Sequence, residues 1–324
     1  MSDNIMLNKL ISDNYDLEVK DLQLIEGQFC EIYTMQTNKG KYVVKTLHLG
    51  DHDMEQEGHL TKYLYDNGIS VPRLLKTSGG MYHVETEDMQ FHIQEFIEGR
   101  TWKVNTATEW FLEKLAVTIG KVHDVLKNYG ELKSVMSDHF LNKNIINYLK
   151  DHYTEKLNEA ITTQKDKQLI SDLEERVRYL ERVAKFDINI NRLTYSNSHA
   201  DFHMGQIITD GENLTVIDWT SACRMPICFE VIRSYVFAAP ECGNGEINSD
   251  GLKRYINNYL KYFPLNDYDI EMMPYVFYFQ HMIWNYNPAE YDNIPNAYKP
   301  IRDLIINVTN WLYENVDVLA DELR

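Results

Sequence analysis

The sequence predicts an α+β protein of two lobes: a small antiparallel β-rich lobe with one helix, then a larger, mainly helical lobe. Three observations predict it. Between residues 31 and 96, short β-prone runs alternate with turn residues around a single helical stretch. From residue 107 onward, apolar residues recur at helical spacing over long segments. Within that helical part, residues 207–217 read as a lone β-hairpin.

Taken in order, 31–37 (EIYTMQT) reads as a strand, Asn38-Lys39-Gly40 as a turn and 41–49 (KYVVKTLHL) as the returning strand. A helix fits 54–66 and stops at Asn67-Gly68, a C-cap signal. Further strands are expected at 71–76, 81–86 and 90–96. The lobe boundary is placed at Glu98-Gly99, which gives lobes of 1–98 and 99–324. Trp110, Phe111, Leu115, Ile119, Val122 and Leu126 then form one helical stripe, and His123 beside it reads as a core or capping histidine. Residues 145–183 read as two charge-rich helices broken near 162–165, followed by a strand at 192–196. Helices are expected at 230–237, 251–262, 272–285 and 300–323.

With 324 residues and 44% apolar composition, the chain has the makings of an ordinary soluble globular protein. Its longest apolar runs are far short of a membrane span, and 1–22 is polar with no secretory core, so a cytoplasmic protein without membrane insertion is expected. The four cysteines, Cys30, Cys223, Cys228 and Cys242, lack zinc-site spacing and read as reduced thiols. A net charge of −17 disfavours nucleic acid as a partner and is compatible with a small cationic one.

The stretches His199-Ala200-Asp201-Phe202-His203-Met204-Gly205-Gln206 and Val216-Ile217-Asp218-Trp219 place two carboxylates 17 residues apart, one before the hairpin and one at its end. Phosphoryl transfer from a nucleotide calls for that separation: one aspartate to accept a hydroxyl proton, another to hold the magnesium that bridges the phosphates. Asp201 is the candidate base, with His199 fixing its loop and His203 able to do the same or approach a phosphate. Asp218 is the candidate metal ligand, and Gln206 offers a side-chain oxygen beside it. Lys45, a cation inside an apolar strand, must reach water or meet an anion. Nucleotide kinases use such a lysine to hold phosphates, oriented by a glutamate from the next helix. Here that glutamate is Glu57, or alternatively Glu55.

Tyr42-Val43-Val44-Lys45, Glu57, the His199-x-Asp201 loop and Ile217-Asp218-Trp219 together resemble the aminoglycoside phosphotransferase and choline kinase family, which has the protein-kinase-like two-lobed fold. The flavour is nearest its spore-coat kinase-like, methylthioribose kinase and homoserine kinase branch, and the resemblance runs from about residue 24 to 235. It implies an enzyme using ATP and Mg²⁺, with Asp201 as base, Asp218 as principal metal ligand, Lys45 on the phosphates and Glu57 as its partner. Gln94-Glu95-Phe96-Ile97-Glu98-Gly99-Arg100 resembles the interlobe linker, so Glu95 and Ile97 would offer backbone to adenine. Glu230 would be a structural brace. Gln206 stands where the family usually has Asn, and Glu26-Gly27-Gln28-Phe29-Cys30 is a glycine-poor nucleotide loop.

The expected activity is transfer of the γ-phosphate to a hydroxyl of a small, cationic molecule: an aminoglycoside-like antibiotic, an amino sugar, choline or an amino alcohol. Trp284, Tyr286 and Glu290 are the candidate acceptor residues, because aromatic faces and carboxylates suit a cation. The alternative is a weak or inactive kinase-fold protein with a structural or binding role, such as a spore-coat component.

Overall fold

The computed structural model describes residues 2–27, 30–49, 53–130, 132–134, 140–283 and 299–324. They form two compact units, Met1–Thr101 with Gln206–Ala222, and Trp102–Gly205 with Cys223–Arg324. The hairpin region expected within 99–324 thus groups with the N-terminal unit.

The first unit is built on a five-stranded antiparallel sheet: β1 (Val19–Gly27), β2 (Glu31–Thr37), β3 (Gly40–His48), β4 (His83–Glu85) and β5 (Met89–Glu95), in the order β1-β2-β3-β5-β4. β2 and β3 pair from Glu31↔Thr46 to Thr37↔Gly40, so Asn38 and Lys39 make the turn read from the sequence. Gly40 takes φ 135°, a conformation that costs glycine no steric clash. Alternation along β2 and β3 sends Tyr33, Met35 and Val44 into a core with Phe91 and Ile93 of β5. Leu7, Ile11 and Tyr15 close that core. The first two lie on α1 (Ser2–Asn14), a helix the sequence reading left out, as it did β1. The strand expected at 71–76 is a single bridge, Leu74↔Gln94, plus hydrogen bonds linking Leu75 to Ile93 and Glu95 to Arg73.

Helix α2 (Met54–Asp66) starts where Asp53 accepts from Gln56 N–H, an N-cap, and buries Met54, Glu57, Leu60 and Leu64. Gly58 sits against Tyr82, where a Cβ would stand 2.2 Å from the ring's Cγ. The hairpin of β7 (Ile207–Thr209) and β8 (Leu214–Val216) completes this unit.

The second unit is mainly helical: α3 (Glu109–Leu126), the hairpin of α4 (Lys143–Thr162) and α5 (Lys167–Val183), then α6 (Ile227–Ala238), α7 (Ser249–Tyr259), α8 (Asp267–Ile283) and α9 (Lys299–Leu323). A two-stranded ladder, β6 (Tyr195–Ser198) with β9 (Cys223–Pro226), lies among them. Every residue of α6 is buried, so this helix is the unit's centre and packs on α3, α7 and α8. Gly120 lets α3 approach α7, since a Cβ there would meet Tyr259 O at 2.8 Å. No helix of the described residues is long and apolar enough to cross a membrane.

Gly58→Ala should lower stability by about 1–3 kcal/mol through overpacking against Tyr82. Thermal denaturation checks this; an unchanged midpoint would mean that Tyr82 moves aside without cost.

Candidate active site

In the first unit, β3 carries Lys45 into the interior, where the residue is 7% exposed. Its Nζ donates to Asp218 Oδ1 at 2.5 Å. Burial by itself would push the lysine's pKa down; the charges of Glu57 and Asp218 outweigh it, and the ammonium is held above its ordinary value. The sequence paired Lys45 with Glu57, whereas its hydrogen bond goes to Asp218. Glu57 stays close enough to act by charge, and its Oε1 accepts from Trp219 N–H at 3.1 Å while Oε2 lies 3.8 Å from His92 Nδ1. Glu55, the alternative, accepts instead from Tyr82 N–H and contacts His83.

Asp218 adopts a left-handed backbone, φ 62° and ψ 72°, immediately after β8 and Ile217. That kink is unusual for a non-glycine residue and is held by its surroundings. Three donors meet on its carboxylate: Lys45 and Thr220 Oγ1 (2.7 Å) on Oδ1, and Gln206 Nε2 (3.2 Å) on Oδ2. The structure therefore brings Lys45, Glu57, Asp218 and Gln206 together. These donors stand on the carboxylate oxygens that a metal ion would use, so an ion bound there would displace or turn them. Gln206 can present its amide oxygen to that ion by rotation of the amide. Among the described residues no group of three or more His, Cys, Asp or Glu side chains could hold a metal alone. One carboxylate plus an amide oxygen fits Mg²⁺ shared with substrate phosphates rather than caged by protein.

Glu95 ends β5, and its N–H donates to Arg73 O at 3.0 Å while its carboxylate bonds the Arg73 guanidinium. Ile97 follows in irregular backbone and is half-buried. The ammonium of Lys41 lies 3.6 Å over the ring of Phe96 between them.

In the second unit, β6 delivers the chain to His199, Ala200 and Asp201. Buried His199 accepts from Asp201 N–H on Nδ1 at 3.3 Å, a hydrogen bond within the loop. Ala200 has φ 67°, a second strained non-glycine position beside a candidate functional aspartate. Asp201 Oδ1 accepts from Arg233 Nη2 at 2.6 Å, and Oδ2 lies 3.5 Å from His203 Nε2. Burial would raise the pKa of Asp201; hydrogen bonding from His203 and the charge of Arg233 overcome it and hold the carboxyl far below the usual range.

Glu230 is the brace read from the sequence. Its Oε1 accepts from Ala200 N–H at 2.5 Å, and Oε2 accepts from Ser198 Oγ at 2.6 Å and His123 Nε2 at 2.9 Å. Tyr259 OH holds His123 Nδ1 at 2.8 Å. Burial opposes ionisation of Glu230, but His123 and Ser198 outweigh it and its pKa falls below the ordinary value. His123 is thus a buried hydrogen-bonding histidine of the core. Arg233 was missed; its signal was a guanidinium three residues after Glu230 in a largely apolar helix. Trp284, Tyr286 and Glu290 lie outside the described residues.

Comparison with known proteins places this architecture. Solved structures with the same protein-kinase-like fold include the amicoumacin kinase hAmiN in complex with AMP-PNP, Ca²⁺ and Ami. It is 13% identical, with TM-score 0.67 over 98% of this chain and 93% of that one. A microcompartment-associated aminopropanol kinase is 13% identical, with TM-score 0.61 over 99% of both chains. The spectinomycin phosphotransferase APH(9)-Ia, in complex with ADP and spectinomycin, is 14% identical, with TM-score 0.59 over 98% of both. No curated protein matches the chain in sequence. The class is that of small-molecule kinases, phosphotransferases with an alcohol group as acceptor. The chain belongs to the phosphotransferase enzyme family, whose model matches residues 23–262.

Glu230→Ala should cost on the order of 3–5 kcal/mol, because His123, Ser198 and Ala200 N–H lose a buried acceptor together. The folded pKa of Glu230 is depressed, so its contribution is present above the unfolded value of about 4.3 and lost as pH falls through the folded one. Urea denaturation from neutral to acid pH should show a weaker acid dependence in Glu230→Gln than in wild type.

Proposed function

We propose that this protein transfers the γ-phosphoryl group of ATP, with Mg²⁺, to a hydroxyl of a small, cationic acceptor. The observation that carries the reading is the meeting of buried Lys45 and Glu57 with half-buried Gln206 and Asp218. A lysine, a glutamate behind it and a metal-binding aspartate are the parts that phosphate positioning requires. Lys45 would move from Asp218 onto phosphate oxygens, with Glu57 holding its charge in place. Asp218, with the amide oxygen of Gln206, would hold Mg²⁺. Such an ion would supply positive charge against the phosphates. Glu95 and Ile97 would offer backbone to adenine, Glu95 through its carbonyl, because its N–H is engaged by Arg73.

Asp201 is the proposed base. Ionised at neutral pH and fixed by two neighbours, it would orient the acceptor hydroxyl and take its proton as the new O–P bond forms. The acceptor class is supported by three structural neighbours, an aminopropanol kinase, a choline kinase from Cryptosporidium parvum and an ethanolamine kinase from Plasmodium vivax. Choline, ethanolamine and aminopropanol each join a hydroxyl to a cationic nitrogen, which accords with the acidic net charge of −17. A second reading, a kinase-fold protein without transfer activity, is favoured by one observation: Gln206 turns its nitrogen, not its oxygen, to Asp218.

The test is ADP release with Mg·ATP across aminopropanol, choline, ethanolamine, spectinomycin, aminoglycosides, homoserine and methylthioribose. Turnover on one amino alcohol or amino sugar is expected. Asp201→Asn should cut that turnover by about 10²–10⁴ while nucleotide affinity stays near wild type. Wild-type turnover in the variant would remove Asp201 from the chemistry, and failure to bind Mg·ATP would favour the second reading.

A further inference from the structure

We propose that Arg233 and His203 are positioning residues that act through Asp201, one gripping each carboxylate oxygen so that the base keeps one orientation. This rests on the reading of Asp201 as the base. Arg233 rises from α6, is about nine-tenths buried, and uses two arms of one guanidinium. Nη2 donates to Asp201 Oδ1 at 2.6 Å, and Nη1 donates to Phe202 O at 3.1 Å. One rigid fork thus ties the reactive side chain to the backbone of the next residue. A side chain tethered in this way cannot swing relative to its own loop.

His203 approaches from the other side. Its Nδ1 accepts from Gly205 N–H at 3.0 Å, which leaves the proton of the neutral imidazole on Nε2, 3.5 Å from Asp201 Oδ2. A neutral His203 is therefore already a donor to the base and needs no charge. Gly205 makes this ring position possible, since a Cβ there would stand 2.7 Å from His203 Cε1. Phe237 supports both partners, with the Arg233 guanidinium 4.8 Å from its ring and the His203 ring 6.3 Å away.

The other titratable groups around this cluster leave the arrangement intact. His199 takes the Asp201 N–H on its Nδ1, and Glu230 holds Ala200 N–H and Ser198 rather than the carboxylate. His281, near Arg233, is pushed down to about 3 by burial and by the guanidinium's charge, so at neutral pH it adds no cation. A carboxylate gripped by a cation and a donor is a weak base before reaction. That suits phosphoryl transfer, where the acceptor O–H gives up its proton to Asp201 late, as the O–P bond forms and the bond to ADP breaks.

The test uses the full chain with ¹³C-labelled aspartate, the Asp201 carboxyl resonance being identified by its loss in Asp201→Asn. In wild type it should show no titration above about pH 3, whereas in Arg233→Met its midpoint should rise toward the ordinary value of about 4. Arg233→Lys should recover part of the shift, His203→Gln, which keeps a donor, nearly all, and His203→Phe less. In parallel, ADP release from Mg·ATP with water as acceptor should fall about tenfold or more in Arg233→Met, in kcat rather than in KM for ATP. An unmoved carboxyl midpoint in folded Arg233→Met, or an unchanged kcat, would overturn the proposal. Should Arg233→Met fail to fold, the His203→Phe and His203→Gln pair decides: identical midpoints and rates overturn it. If Asp201→Asn itself keeps wild-type ADP release, the base reading fails, while the carboxyl titration still decides whether the grip exists.

Discussion

Two charges inside α6, a helix buried along its whole length, hold the loop that carries Asp201. Glu230 and Arg233 lie three residues apart, so they leave the helix on neighbouring faces. Glu230 takes the backbone N–H of Ala200 together with Ser198 and His123, and Arg233 takes the Asp201 carboxylate together with Phe202 O. Placing two ions in an apolar core is costly unless each is fully hydrogen-bonded. Here the loop supplies their partners, so helix and loop are ordered together. The left-handed backbone of Ala200 is tolerated because its N–H is tied down in this way.

The cluster around Lys45 and Asp218 follows the same logic on a different scaffold. Lys45 is buried on a central strand, and the acids that balance it come from α2 and from the turn after β8. Asp218, like Ala200, is strained at its backbone and satisfied at its side chain. Strain beside a polar group with several partners is the pattern expected where geometry serves chemistry rather than packing. Asp218 differs from Asp201 in one respect: its present donors are side chains that a phosphate-bound metal would have to displace or turn.

Much of this was legible in the chain. The turn at Asn38 and Lys39, the stop of α2 at Asn67-Gly68 and the hairpin around Asp210 and Gly211 are set by residues within a few positions of each other. Lys45, Asp201 and Asp218 stood out because each is a charge bordered by apolar neighbours, which sequence shows directly. α1 and β1 did not stand out. Leu7 and Ile11 are too sparse a stripe to announce a helix, and edge strand β1 leaves Leu24 and Ile25 exposed, so its alternation is blurred. The run at 71–76 has the composition of a strand, but it makes only one bridge to β5.

The sequence by itself determined the α+β order and the hairpin, and singled out which ionisable residues to examine. Those follow from periodicity and turn chemistry, interactions that span a handful of residues. Only the tertiary structure decided the partners: Asp218 as well as Glu57 on Lys45, Arg233 and His203 on Asp201, His123 and Ser198 on Glu230. It also decided that residues 206–222 group with the N-terminal unit. Lys45 and Asp218 are 173 positions apart, and Asp201 and Arg233 are 32 apart. An ion buried at such separation takes whichever counter-charge the packed core brings within reach, and no local pattern encodes that choice.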